Sequence, residues 1–376
     1  MLGGLVAMGV SGFPEQEPGF PQPEVAPGLS WSYDVIGTPL MSLGPNAAAW
    51  HPDGRLLAIS NGIVETHFEL WDVEARKRVW AFDKSGAPSS KSLTFTKDGK
   101  YLIISSADKR GEDGRIALSL LDAETAQVAG HILAPPSLPR PSYASDWVLS
   151  PDGKRLVAGY VRGMSFFGVY DTATWELLRT TPRLSWGRGV SFAFDPSSGH
   201  VRVSSAPPEY NNHDQDLRRW AASHDQPGVA TWNIETGDLV AFQRLEGSGN
   251  DLNFLLASLP QDAVLVGAGL GPEKASGKWV AGAWNPISGK RIKLFDDSIE
   301  RVLELAVSRD GTLVAAACMG AHLRIWDYLT GKQLLSHIWR KGGHWLDVTV
   351  LAFHPRDNRF AFNLKNRICV GQLQPS

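Results

Sequence analysis

The stretch AAAWHPDGRLLAIS at residues 47–60 joins two short apolar runs through a Pro-Asp-Gly turn, and the same phrase returns along the chain. It recurs as SLTFTKDGKYLIIS at 92–105, DWVLSPDGKRLVAG at 146–159 and VSFAFDPSSGHVRVS at 190–204. Three more follow: LNFLLASLPQDAVLVGA at 252–268, LELAVSRDGTLVAAA at 303–317 and TVLAFHPRDNRFAFN at 349–363. Each phrase reads as a β-hairpin. Runs of four to six Val, Ile, Leu and Phe are too short for a stable helix and fit buried strands. The turn between them is specified chemically: Pro presets φ, Asp bonds its own backbone, and Gly tolerates positive φ. The turn glycines Gly54, Gly99, Gly153, Gly199 and Gly311 recur at roughly the interval of a propeller blade with loop insertions.

After each of the first six hairpins comes a third strand that ends on a bulky residue, followed by Asp or Asn. The series is FELWDVEARK (68–77), LSLLDAETAQ (118–127), FGVYDTATWE (167–176), VATWNIETGD (229–238), VAGAWNPISGK (280–290) and LRIWDYLTGK (323–332). Trp71, Trp232, Trp284 and Trp326 hold one position, and Tyr170 and Leu121 stand in for Trp elsewhere. A turn and a fourth strand complete each unit. Seven four-stranded antiparallel units predict an all-β, seven-bladed β-propeller. The seventh unit, ending in NRICVGQLQPS, has three strands and would leave an open edge. The segment LSWSYDVIG at 29–37 precedes the first hairpin, so Trp31–Ile36 is expected to close the last blade as its outer strand.

At these residues the chain resembles the WD-repeat (WD40) family, over 29–376. The Trp-Asp pair itself stands at Trp71-Asp72 and Trp326-Asp327, and the Gly-His pair of the family at Gly343-His344, where the resemblance gives His344 a structural role. The family's Asp before the third strand is missing: six residues ahead of each Trp-like position stand Glu65, Arg115, Met164, Gln226, Lys278 and Gly320. The hydrogen-bonded Asp–His–Ser/Thr–Trp network that the resemblance implies is therefore expected to be absent or altered in most blades. Trp-less bacterial propellers with similar Ser-Pro-Asp-Gly hairpins are the alternative subfamily.

Composition narrows the function. The formal net charge is −2 over 376 residues, so no bulk positive charge supports a nucleic-acid partner. The apolar stretch Leu2–Val10 is short and has no preceding Lys or Arg, unlike a secretory signal, and no segment reaches the length of a membrane span. Two cysteines, Cys318 and Cys369, both in apolar runs, read as buried core residues in a cytoplasmic protein. Residues 1–28, rich in Pro, Gly and Glu, read as a disordered leader.

Loops carry function in such folds. One connection is long: APPEYNNHDQDLRRWAASHDQP at 206–227, in the fourth blade, where DLRRWAAS is expected to form helical turns. Its Tyr210, Arg218, Arg219 and Trp220 are residue types enriched at interaction hot spots. The same rim should receive LAPPSLPRPSY (133–143), TPRLSWGRG (181–189) and IWRKGGHWLD (338–347), adding Trp186, Arg188, Arg340 and Trp345. That mixture suits a protein or peptide partner bound by a monomer or by one component of a larger complex. No nucleophile elbow, phosphate loop or metal-ligand spacing is present, so no catalytic residue, cofactor or metal is expected. A small-ligand or metal-binding channel, or a propeller enzyme, is the alternative reading.

Overall fold

The computed structural model describes residues 23–36, 45–61, 65–85, 92–105, 116–137, 144–161, 165–181, 191–196, 199–205, 228–248, 255–259, 264–271, 278–341, 344–345, 348–364 and 367–375. Seven antiparallel blades follow one another, and in blades 1–6 four consecutive strands are ordered first to fourth without crossover. Blade 1, for example, comprises Pro45–Trp50, Leu56–Asn61, Glu65–Asp72 and Lys77–Ser85. Blade 4 comprises Phe192–Phe194, His200–Ser205, Gly228–Asn233 and Leu239–Gln243, and blade 6 begins with Val302–Val307, Leu313–Cys318, His322–Asp327 and Gln333–Ile338. First strands of neighbouring blades lie beside one another around a central channel, from blade 7 back to blade 1. Blades 2 and 3 meet through the Ser92 hydroxyl, which donates to Asp146. Among the described residues there is no helix.

Blade 7 closes as expected. Its own strands are Leu351–Phe353, Arg359–Leu364 and Arg367–Pro375, and Leu29–Ile36 pairs antiparallel with the last, from Leu29 opposite Pro375 to Ile36 opposite Ile368. The closing strand supplies more than backbone bonds. In blades 1, 4, 5 and 6 the Trp lies buried near the end of the third strand, but blade 7 has Gly371 at that place, opposite Phe360. The indole of Trp31 fills the space instead, stacked on Phe360 at 5.5 Å and 9° between planes. An added Cβ on Gly371 would lie 2.7 Å from Trp31 Cζ3. The seventh Trp therefore arrives from the other end of the chain.

One expectation is corrected here. Glu24–Val25, inside the stretch read as leader, forms a fifth strand on the edge of blade 6, with Glu24 opposite Ser336 and Val25 opposite Leu335. Two residues between prolines are too few to read as a strand in sequence, yet they cover an otherwise open sheet edge. Asp34 of the closing strand also pairs with Arg76 of blade 1 at 3.0 Å, so residues 24–36 bind three consecutive blades.

Side chains between blades form a continuous core. Leu121, Tyr170, Trp232, Trp284, Trp326 and Trp71 each lie in a buried cluster between blades. The residue after each acts as a turn acceptor. Asp72, Asp122, Asp171, Asn233, Asn285 and Asp327 accept the backbone N–H three residues on, at 2.7–3.2 Å. The next residue in each turn (Arg76, Ala126, Trp175, Gly237, Gly289, Gly331) takes positive φ. Asp and Asn alternate because only the acceptor oxygen is required.

The hairpin turns join the ring on the opposite face from the long loops. His354 Nε2 meets the Gly54 carbonyl at 2.8 Å, and His51 Nε2 meets the Gly99 carbonyl at 3.0 Å. Lys97 donates to Pro151 O and Arg309 to Pro355 O. Each side chain reaches from one blade into the turn of the next. Gly54, at φ 77°, leaves room for the imidazole, since a Cβ there would lie 2.7 Å from His354 Cε1.

Candidate functional site

Strand alternation places two loop sets on one rim: connections from second to third strands, and connections between blades. The 206–227 insertion leaves at Ser205 and returns at Gly228, which face one another in the ladder of blade 4. Its ends are thus fixed side by side, and the blade is undisturbed by what lies between them. Tyr210, Arg218, Arg219 and Trp220, the expected helical turns, and Trp186 and Arg188 all lie outside the described residues.

Arg340 and Trp345 are brought together. They pair across a short hairpin, Arg340–Lys341 with His344–Trp345, in the connection between blades 6 and 7. His344 sits opposite Lys341 in it. The hairpin rises from a rigid base: Trp339 is buried, its backbone N–H donates to Ala321 O at 3.0 Å, and its ring stacks on His337 at 3.9 Å. Beside it, the turn from second to third strand of blade 6 presents Met319, 50% exposed, and Met319 N–H donates to Arg301 O.

Beneath this rim the sequence reading missed a polar network. His322 is buried; its Nδ1–H donates to Glu300 at 3.2 Å, and the Ser336 hydroxyl lies 2.8 Å from Nε2. Arg324 adds bonds to Asp296 (2.8 Å) and Glu300 (3.4 Å). The His322 hydrogen bond, with smaller help from Arg324, draws the Glu300 carboxyl down to about 2 against its burial. Histidine, hydroxyl and acid are the family's residue types, but the acid comes from the linker before the blade rather than the turn before the third strand. No fixed spacing in sequence would have disclosed it.

The order Ser–His–Glu resembles a nucleophile relay in its residue types. Ser336 is mid-strand, paired with Arg324 on one side and Glu24 on the other, so its own strand is engaged in ladders on both edges. A second buried pair, Arg202 with Asp195 at 2.7 Å, reaches Ser258 of blade 5 at 3.4 Å and ties blades 4 and 5. At the rim end of the channel, Asn46, Ser92, Thr94 and Glu304 line a cavity of about 160 Å³. That is below the roughly 300–1,000 Å³ of ordinary small-molecule pockets. Among the described residues no group of His, Cys, Asp or Glu is arranged to hold a metal ion, and no helix could cross a membrane.

A family model described as WD domain, G-beta repeat, matches residues 289–327, from the last turn of blade 5 through the third strand of blade 6. The match ends on Trp326-Asp327, the buried Trp and its turn-capping Asp. With the seven four-stranded blades, that match supports a WD-repeat propeller. No curated protein matches the sequence. Within this WD-repeat propeller, the matched segment is also where Trp, Asp and a His–Ser–acid network coincide, and propellers of this kind generally serve as protein-interaction scaffolds.

Proposed function

We propose that this WD-repeat propeller is a non-catalytic scaffold that binds a protein or peptide on its loop rim, with the blade 4 insertion as the element of specificity. The observation that carries the reading is the base of that insertion: 22 residues, 206–227, suspended between two directly paired positions, Ser205 and Gly228. A rigid ring that holds a long aromatic and cationic loop at fixed ends limits the ordering entropy of binding. The Arg340–Trp345 hairpin extends the same rim with the same chemistry. Cys318 and Cys369, both buried and neither in a disulfide, fit a protein working in the cytoplasm.

The test is an affinity capture with the full chain, with residues 207–226 replaced by a short Gly-Ser linker, and with Trp220→Ala, Trp186→Ala and Trp345→Ala. Loss of a partner in the loop variant and in Trp220→Ala, at an unchanged melting temperature, supports the reading. Retention of every partner after loop replacement overturns it.

A further inference from the structure

The closing strand rests on a histidine that must be uncharged. Trp31 Nε1–H lies 3.2 Å from His337 Nδ1 on the outer strand of blade 6. An indole N–H only donates, so Nδ1 must present its lone pair and the imidazole proton must sit on Nε2. A second proton on this ring has to go to Nδ1, where it breaks the Trp31 bond and turns an attraction into a clash of two N–H groups. We infer that Leu29–Ile36, with Glu24–Val25 ahead of it, is an acid-releasable latch on the ring, with His337 as its trigger.

The surroundings concentrate the effect on the latch. His337 is buried, and Trp31 is in turn held over Gly371 and Phe360. Tyr33 of the same strand packs edge-on against Trp339 and Phe362, and Trp339 stacks on His337. Among the described residues, the titratable groups packed around this corner come from the latch and from blades 6 and 7. Tyr33 comes from the latch and Cys369 from the third strand of blade 7; His322 comes from blade 6, with Glu300 and Arg324 beyond it. Asp34, next along the latch, is engaged with Arg76 of blade 1. Burial, aided by His322, holds the His337 imidazole down at about 4.

The direction of the dependence follows. A histidine at about 4 in the closed ring and near 6.5 when released leaves the latch fully seated above pH 6.5 and weakens it as pH falls towards 4. Between pH 7.5 and pH 5 the closed state loses up to roughly 30-fold in its equilibrium with the released one.

Amide hydrogen exchange of the full chain reads this directly. Protection of residues 29–36 and 367–375, corrected for intrinsic exchange, is compared with that of Arg155–Val161 in blade 3 at pH 7.5 and pH 5. The expected result is a loss of protection approaching 30-fold, confined to blade 7 and its closing strand. His337→Gln keeps an acceptor for Trp31 without titrating, and should lose less than about 3-fold over the same range. If that variant does not fold, Trp31→Phe serves instead: it keeps a ring over Gly371 but no N–H, so its protection should be lower at pH 7.5 and fall less on acidification. Protection of 29–36 that does not change with pH overturns the inference. So does a loss shared equally by blade 3, or one undiminished in both variants.

Discussion

Replacing Gly371 with Ala tests whether Trp31 truly occupies the position of the missing third-strand Trp. The new Cβ would lie 2.7 Å from Trp31 Cζ3 and 3.2 Å from Phe360 Cζ, where ordinary contacts begin near 3.4 Å. The indole cannot simply slide, because Phe360 stacks on one face and its Nε1 bonds His337. Overpacking of this kind costs about 1–3 kcal/mol, and losing the hydrogen bond adds about 1 kcal/mol. Gly371→Ala is therefore expected to destabilise by about 2–4 kcal/mol. Trp31→Ala alone, removing a half-buried indole, should cost about 2–4 kcal/mol. In the Trp31→Ala background the Gly371→Ala change should cost under about 0.5 kcal/mol, because its only severe clash has gone. Equilibrium urea unfolding followed by tryptophan fluorescence measures all four proteins. Equal penalties for Gly371→Ala with and without Trp31, or no penalty in either, would refute the substitution of one end of the chain for the other.

Two further outcomes follow from an ion pair and a turn acceptor. Asp195→Ala leaves the Arg202 guanidinium, 1% exposed, without its anion, and should lower stability by about 3–5 kcal/mol, with Arg202→Met in the same chain recovering much of it in thermal melts. Asp327→Asn should leave the melting temperature within error because the Oδ1 acceptor for Thr330 N–H survives, whereas Asp327→Ala should cost about 1 kcal/mol.

The blades were legible because each strand type carried its own local chemistry. Pro-Asp-Gly turns mark the hairpins, and the Asp or Asn after each Trp marks the next turn. The closing strand was legible by subtraction, since blade 7 lacked one strand and residues 29–36 lacked a partner. What stayed hidden depends on residues far apart in sequence. Nothing near Gly371 announces that an indole 340 positions earlier will cover it. Arg202, in HVRVSS, looks like the solvent side of an alternating strand, but a propeller sheet is buried on both faces, and its ion partner lies across a turn. His322 finds its acid in a linker whose spacing from the repeat carries no rule. Of the eight rim residues singled out for binding, Arg340 and Trp345 are placed by the structure, and they share one hairpin.

The pairing of Leu29 with Pro375 also sets an order of events during synthesis. The strand 29–36 must wait for residues 367–375 before it has its blade 7 neighbour, while blades 1–6 can assemble from local hairpins as they emerge. Throughout that interval Trp31, Tyr33 and Val35 lack the blade 7 surface that shelters them in the closed ring. Ring closure is then a late step with its own kinetics, and any stop that removes 367–375 leaves the strand 29–36 without its blade 7 neighbour.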